Sequence, residues 1–398
     1  MHPPRRPPSS LAIVLVGLAA LASAMGVGRF AFTPLLPLMQ AHEGLSLGQG
    51  AWLASANYLG YAVGALACSV APPAPDAAAR FGLVGVAVST LAMAATGSYE
   101  AWLLLRLVAG VASACVLVGV SAWAIASLAE CGRAAWSGGV FSGVGIGIAV
   151  AGAAGLVAGL DGDSPARVWL VLGATSSAVA ALAWLPLRAG AANATAAAPS
   201  PQRSSRGEWR LIAGYGAFGF GYIIPATFLP AMAREAISDP AVFGWVWPAF
   251  GAAAAGSTML VALGFRGASP QRLWTVSLLV MAAGVISPVL RPGVASLLVA
   301  AVCVGGTFMV ATLAGMQEAR RRAGNAAPRL MAAMTFAFAL GQLAGPAIVA
   351  LNASPGRSGG SVWASLLGAL CLFAAAFALR EPRVLDSTAT LREQGQRP

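Results

Sequence analysis

Met25-Gly-Val-Gly-Arg-Phe-Ala-Phe-Thr-Pro-Leu-Leu-Pro-Leu-Met39 sets a guanidinium, Arg29, inside an apolar run that begins at Leu11. Two prolines follow it, Pro34 and Pro37, whose missing N–H groups must disturb helical hydrogen bonding. A charge at this depth in lipid-length sequence is costly, which marks a span kept for a use. The stretch also recurs. Shifted by 193 residues without a gap it becomes Gly219-Phe-Gly-Tyr-Ile-Ile-Pro-Ala-Thr-Phe-Leu-Pro-Ala-Met232, with Gly26, Gly28, Leu36, Pro37 and Met39 falling on Gly219, Gly221, Leu229, Pro230 and Met232. Trp52 and Trp245 share that offset, and Val168-Trp169 falls on Val362-Trp363 one residue later. Three ordered anchors at nearly one offset point to a duplicated unit, and an even number of spans per unit gives both copies the same orientation.

The surrounding composition fits a bilayer. Apolar residues make up 58% and charged residues 9%, against roughly 45–50% and about 25% in soluble domains. The net charge of +11 is spread over many short loops rather than gathered on one face, so it reads as membrane topology and not as a nucleic-acid footprint.

In chain order, the apolar run from Leu11 continues to about Gln40 with no convincing cleavage site, so it is read as a retained first span rather than a signal peptide. Further spans fall near Gly48–Val70, Phe81–Gly97, Ala101–Leu128, Ala135–Leu160 and Arg167–Leu187. A second set follows near Trp209–Met232, Ala241–Phe265, Arg272–Leu290, Val294–Met316, Leu330–Leu351 and Ser361–Leu379. The expected fold is therefore an all-α membrane protein of twelve transmembrane helices in two six-helix repeats. Its parts are residues 1–187, a flexible linker 188–208 rich in Ala, Pro, Ser and Arg, a second half 209–380 and a tail 381–398.

All basic side chains are Arg, and they segregate. With a cytoplasmic N-terminus, only Arg167, Arg234, Arg291 and Arg357 fall on the far side, and Arg29 and Arg106 alone remain within spans. By the positive-inside rule both termini are cytoplasmic, and the expected location is a bacterial inner membrane, crossed many times.

Soluble-enzyme chemistry finds no foothold. The absence of Lys removes phosphate-loop and Schiff-base lysines, and the two histidines, His2 and His42, sit in a tail and at a span end. Cys68, Cys115, Cys131, Cys303 and Cys371 have no metal-ligand spacing and read as packed thiols. Gly143-Val-Gly-Ile-Gly147 lacks the full dinucleotide fingerprint and lies in a span. No cofactor and no metal are expected. All thirteen acids fall in loops or at span ends, so no buried carboxylate stands ready as a proton carrier.

The two-times-six plan with a basic linker resembles the major facilitator superfamily. Gly26 to Met39, followed by Ala51-Trp-Leu-Ala-Ser-Ala-Asn-Tyr-Leu-Gly60, resembles its YbfB/YjiJ branch, and Arg106-Leu-Val-Ala-Gly110 is similar to the superfamily's fourth-helix motif. The usual signature between the second and third helices is reduced here to Asp76 and Arg80, which leaves its gating role open. The resemblance implies that helices two and eleven, and five and eight, meet across the halves. Small residues at every fourth position mark ridges on those four helices: Gly139, Gly143, Gly147, Ala151, Gly155 and Gly159; Gly244, Pro248, Ala252 and Gly256; Gly60 and Gly64; Gly341 and Gly345. They serve sliding contacts between the halves or generic packing between any two helices.

The candidate substrate-binding residues are the polar groups left inside: Arg29, Thr33, Asn57, Tyr58, Arg106, Tyr222, Thr227, Thr307 and Gln342. Tyr222 takes the place of Arg29 in the second repeat. Arg106 either lines the cavity or caps carbonyls near a helix end, and Arg29 either meets substrate or caps carbonyls freed by Pro34 and Pro37. With only positive charge inside, the expected function is secondary transport of a small anionic or carboxylate-bearing metabolite by alternating access, and not an enzyme activity. The expected partners are this small-molecule substrate and the lipid bilayer, with no nucleic acid and a monomeric form. The alternatives are a membrane-embedded enzyme or lipid-handling protein, which would want acids, histidines or a metal inside, and a permease subunit driven by a separate ATPase.

Overall fold

The computed structural model describes residues 9–189, 206–236, 244–264, 267–291, 293–351 and 359–379, and among them the fold is helical. Of the linker expected over 188–208, residues 190–205 lie outside the described residues, while 188–189 end one helix and 206–208 begin the next; the first eight residues, those beyond 379 and the start of the eighth expected span also lie outside. The first span is one helical run made of α1 (Ser10–Leu21), a π-helical segment Ala22–Phe30 and α2 (Phe32–Glu43). There follow α3 (Leu47–Val70), α4 (Pro75–Ala95), α5 (Tyr99–Glu130), α6 (Ser137–Asp161) and α7 (Pro165–Ala189). The C-terminal half of the chain forms α8 (Arg206–Ala236), α9 (Val246–Gly264), α10 (Pro270–Leu290), α11 (Val294–Ala323), α12 (Ala327–Leu351) and α13 (Gly359–Ala378). Among the described residues nine stretches are long and apolar enough to cross a membrane, one of them running from Ala295 to Gly345 through a short 3-10 turn.

Local chemistry explains the ends. Ser9, Ser98 and Ser269 accept backbone N–H bonds at the starts of α1, α5 and α10, and Ser46 with Gln49 closes a reciprocal capping box on α3. Gly44 and Gly162 end α2 and α6 in the left-handed conformation, at φ of 68° and 71°. α4 begins six residues before the apolar run that marked its span. Pro75 sits at its N-terminus, where a missing N–H costs nothing, and Arg80 reaches back one turn to Asp76 at 2.8 Å. An apolar window cannot see a turn that opens with an ion pair.

The disturbed hydrogen bonding expected from Pro34 and Pro37 takes the form of widened π turns. The disturbance lies upstream of the prolines, over Ala22–Phe30, and Pro37 is carried inside α2.

Helix pairings recur between the two halves of the chain. α4 packs on α5 and α7, as α10 packs on α11 and α13; α3 packs on α5, as α9 packs on α11; α6 packs on the first span, as α12 packs on α8. Across the halves α3 meets α12 and α6 meets α9, as the resemblance implied. On the side of the fold where α1 begins, Gln317 of α11 donates to the Ser137 hydroxyl of α6 at 2.7 Å, and Ala332 of α12 joins Cys68 and Val118 in one cluster. Two cysteines far apart in sequence, Cys68 and Cys115, bring their sulfurs to 3.7 Å as free thiols. Trp52 and Trp245, related by the repeat offset, are both exposed, at 69% and 63%, as interfacial anchors would be. Trp169 and Trp363 part company: one is 2% exposed and the other 70%.

The small-residue ridge on α9 does face α6 across the halves, with Gly244 against Leu156 and Pro248 against Gly152, but the other three need a correction. The ridge on α6 faces the first span, within one half: a Cβ on Gly143 would meet the Leu18 carbonyl oxygen at 2.1 Å, and one on Gly147 that of Ala22 at 2.3 Å. Gly60 and Gly64 approach α5, and Gly341 and Gly345 approach α8. The contact between α6 and α9 runs along a second stripe, spaced by seven: Gly138 against the Thr258 carbonyl, Gly145 against Gly251 and Ala255, and Gly152 against Pro248. Spacing alone had marked the denser stripe. Gly147→Leu is therefore expected to act on folding, overpacking one half by about 1–3 kcal/mol and lowering the melting temperature. Gly145→Leu separates α6 from α9 and should lower transport more than melting; flux and thermal melting measured side by side on both variants check the distinction.

Candidate functional site

Every candidate that reaches the centre does so through the π-helical segment. In a π turn the backbone bonds skip one residue further, so carbonyls near its end are left for other donors. Arg106 of α5 supplies them: Nη1 donates to the Gly28 carbonyl and Nη2 to the Arg29 carbonyl, each at 3.1 Å. Asn57 of α3 donates from Nδ2 to the Arg106 carbonyl at 3.0 Å and, more weakly, to Gly28 at 3.4 Å. Gly110 makes this possible, because it brings α5 so near α3 that a Cβ there would meet the Asn57 carbonyl oxygen at 2.1 Å. The Phe32 ring lies against the Arg106 guanidinium, 4.8 Å from its centroid. Arg106 and Asn57 thus hold the broken helix in shape.

Arg29 itself does something different. It is 3% exposed, and its guanidinium stacks over the Tyr61 ring at 3.8 Å from the centroid, with Phe30 and Tyr58 at 5.5 and 5.6 Å. Such faces stabilise a desolvated cation by about 2 kcal/mol. Its Nη2 donates to Oε1 of Gln342 on α12, so the bond crosses between the halves of the chain. Its Nε and Nη1 have no hydrogen-bond partner among the described residues, and the same holds for Oδ1 of Asn57 and the Tyr222 hydroxyl. No nitrogen of either buried arginine meets a carboxylate among the described residues.

Tyr222, fully buried on α8, stacks on Phe308 and Phe338 at 5.1 and 6.1 Å between centroids. Phe308 also meets Phe30 edge-on at 6.3 Å, so a line of aromatic rings joins Tyr222 to the residue beside Arg29. Thr307 turns its hydroxyl to the Cys303 carbonyl of its own helix, and Thr33 is half-buried one turn along from Arg29; neither bonds to Arg29 among the described residues. The Thr227 side chain lies outside the described residues. The geometry therefore gathers Arg29, Tyr58, Asn57, Arg106 and Gln342 into one cluster and sets Tyr222 beside it.

Sequence reasoning missed Tyr61, Phe30 and Phe308. Tyr61 was within reach, since it follows Asn57 by four and Tyr58 by three and so shares their helical face. Glu318, one of the acids read as falling in loops or at span ends, lies buried within α11. It is 0% exposed, but Arg321 and Arg322 from the next turn hold it, the former at 2.9 Å.

A family model described as "Uncharacterised MFS-type transporter YbfB" matches residues 21–380. No curated protein matches the chain. Among solved structures, the human organic anion transporter MFSD10 (TETRAN) aligns with a TM-score of 0.70 at 15% identity, over 94% of this chain and 100% of that one. A variant of the E. coli fucose:proton symporter FucP aligns at 0.67 and 14%, with the same coverage of 94% and 100%. At such identities the likeness is one of fold.

Proposed function

The chain belongs to the YbfB-type family of major facilitator superfamily transporters, and from that footing we propose that it moves a small carboxylate-bearing metabolite across a bacterial inner membrane by alternating access. The observation that carries the anion reading is Arg29, a buried cation between the halves whose Nε and Nη1 lack hydrogen-bond partners among the described residues. A guanidinium out of water strongly favours an anion that offers two oxygens, and no protein carboxylate among the described residues competes for it. The name of the human neighbour adds nothing to this, since 15% identity speaks only for the fold. Within the cluster Arg29 is the anion-binding group. Tyr58 and Tyr61 shield it from water, Arg106 and Asn57 position it, and the Tyr222 hydroxyl serves the far end of the ligand. Thr33, Thr227 and Thr307 remain proposed lining groups.

The architecture we attach to this reading is twelve spans in two sixes, residues 1–187 and 209–380, joined by a cytoplasmic linker 188–208, with a cytoplasmic tail 381–398. The recurrent helix pairings support it, as do the matched prolines Pro75 and Pro270 that open α4 and α10. Ala295–Gly345 then counts as two spans, and α8 and α13 supply the others. Arginine asymmetry favours both termini in the cytoplasm. Contacts such as Gln317 with Ser137 would then close the cytoplasmic side, and α3 with α12 and α6 with α9 would form the seams along which the halves rock.

Flux into vesicles holding this protein alone tests the reading. Labelled mono- and dicarboxylates should cross, while cations and neutral solutes of similar size do not. Selective passage of a cation or a sugar overturns the anion site, and flux that requires ATP and a second subunit overturns secondary transport.

A further inference from the structure

Arginine keeps its proton in proteins, so its charge can be balanced by an anion but not removed. Arg29 has no such anion beside it among the described residues. Its neighbours are Phe30, Tyr58, Tyr61 and Gln342, with Arg106 bonded to its carbonyl, and none of these residue types carries a negative charge near neutral pH. The two buried acids among the described residues, Asp76 and Glu318, are paired elsewhere, with Arg80 and with Arg321 and Arg322. The bond to Gln342 takes one N–H of Nη2 and leaves a two-pronged edge of the guanidinium free. From this we infer that the protein is an anion exchanger: the halves close over Arg29 far more readily with a carboxylate bound than without one, so each carboxylate carried one way is matched by a second carried back. The inference rests on Arg29 being the anion site.

Alternating access shuts the site off from both sides on the way from one orientation to the other. Closure surrounds Arg29 from both halves of the chain, with Tyr61 over its guanidinium on one side and Gln342 on the other, and leaves it 3% exposed. Without a carboxylate, closing strips water from a lone cation and returns ring faces and one neutral amide bond. With a carboxylate, a pair of opposite charges joined by two hydrogen bonds enters the same space as a neutral unit. A tenfold difference in rate needs only about 1.4 kcal/mol in the barrier. The desolvation penalty of one ion exceeds that even after the ring faces are counted. Arg106 meets no such obstacle, because the carbonyls it serves belong to its own half and travel with it. A proton cannot take the place of the returning anion. Adding one leaves Arg29 as positive as before, and the side chains around it include no acid or histidine to accept it.

The test uses the purified full-length protein in vesicles loaded with labelled pyruvate, lactate, succinate or citrate. Potassium and valinomycin are present so that no membrane potential builds up, and protein-free vesicles give the blank. Efflux is compared between an outer buffer holding the same unlabelled anion and one holding no carboxylate. The first should be at least about tenfold faster. In Arg29→Gln, assayed at raised probe concentration, the two rates should converge, since an uncharged site closes as readily without an anion as with one. Equal rates in the parent, or the parent's ratio kept in Arg29→Gln, overturn exchange and leave carboxylate transport standing. Uptake driven by a pH gradient into vesicles that hold no carboxylate overturns exchange in favour of proton coupling. No flux of any of these probes in either buffer overturns the anion site and exchange with it.

Discussion

Arg29→Gln raises the Kd for a carboxylate substrate by about a hundredfold, while melting of the empty protein does not fall. Each charge-assisted hydrogen bond contributes about 1.5–3 kcal/mol, and two of them to a desolvated guanidinium account for a loss of that size. Stability is spared because Arg29 makes one side-chain hydrogen bond among the described residues, and the loss of that bond and of the ring contacts is offset by removing a buried charge that has no carboxylate partner among them. Arg29→Lys keeps the charge and loses the fork, and should fall between parent and glutamine, about tenfold weaker than the parent. Isothermal titration with the tightest carboxylate, alongside thermal melting without ligand, checks both. A glutamine variant that binds normally makes Arg29 structural.

Arg106→Leu shows the reverse pattern, a large loss of stability. The carbonyls of Gly28 and Arg29 lose their Arg106 donors at 3.1 Å, and of the side-chain bonds to them among the described residues only the longer one from Asn57 to Gly28 remains. A buried acceptor left without a partner costs about 1–3 kcal/mol, so the pair amounts to about 3–4 kcal/mol. Unfolding in detergent measures it, and Arg106→Lys, which restores one donor, should recover part. The anion affinity of any surviving folded protein falls as well, because the π turn that presents Arg29 relaxes. A leucine variant with parental stability would mean that the two carbonyls find other donors.

The contrast between the two arginines was half legible beforehand. Their depth in apolar sequence marked both as buried, and for each the choice lay between meeting substrate and capping carbonyls. Arg106 does the capping, for the carbonyls of Gly28 and Arg29 at the end of the π turn, and the second of these is one that Pro34, lacking an N–H, cannot serve in the π register. Nothing in the local sequence distinguishes them, since a free carbonyl is a property of backbone path and not of residue type. The glycine ridges teach the same lesson. Spacing by four correctly identified a smooth face on α6, but that face belongs to the first span, and the seam with α9 uses Gly138, Gly145 and Gly152. Periodicity locates a face on one helix and says nothing of who covers it.

What the sequence by itself determined is the part governed by sums along the chain: the membrane class, the apolar spans and the burial of charge at Arg29 and Arg106. Transfer free energies and the positive-inside bias add residue by residue, so they survive without coordinates. Tertiary structure alone decided which nitrogen meets which oxygen. Arg29 and Gln342 lie 313 residues apart, and Tyr222 reaches Phe30 only through Phe308. A hydrogen bond depends on a few tenths of an ångström and on direction, and those arise only when separate helices, each specified locally, are packed against one another.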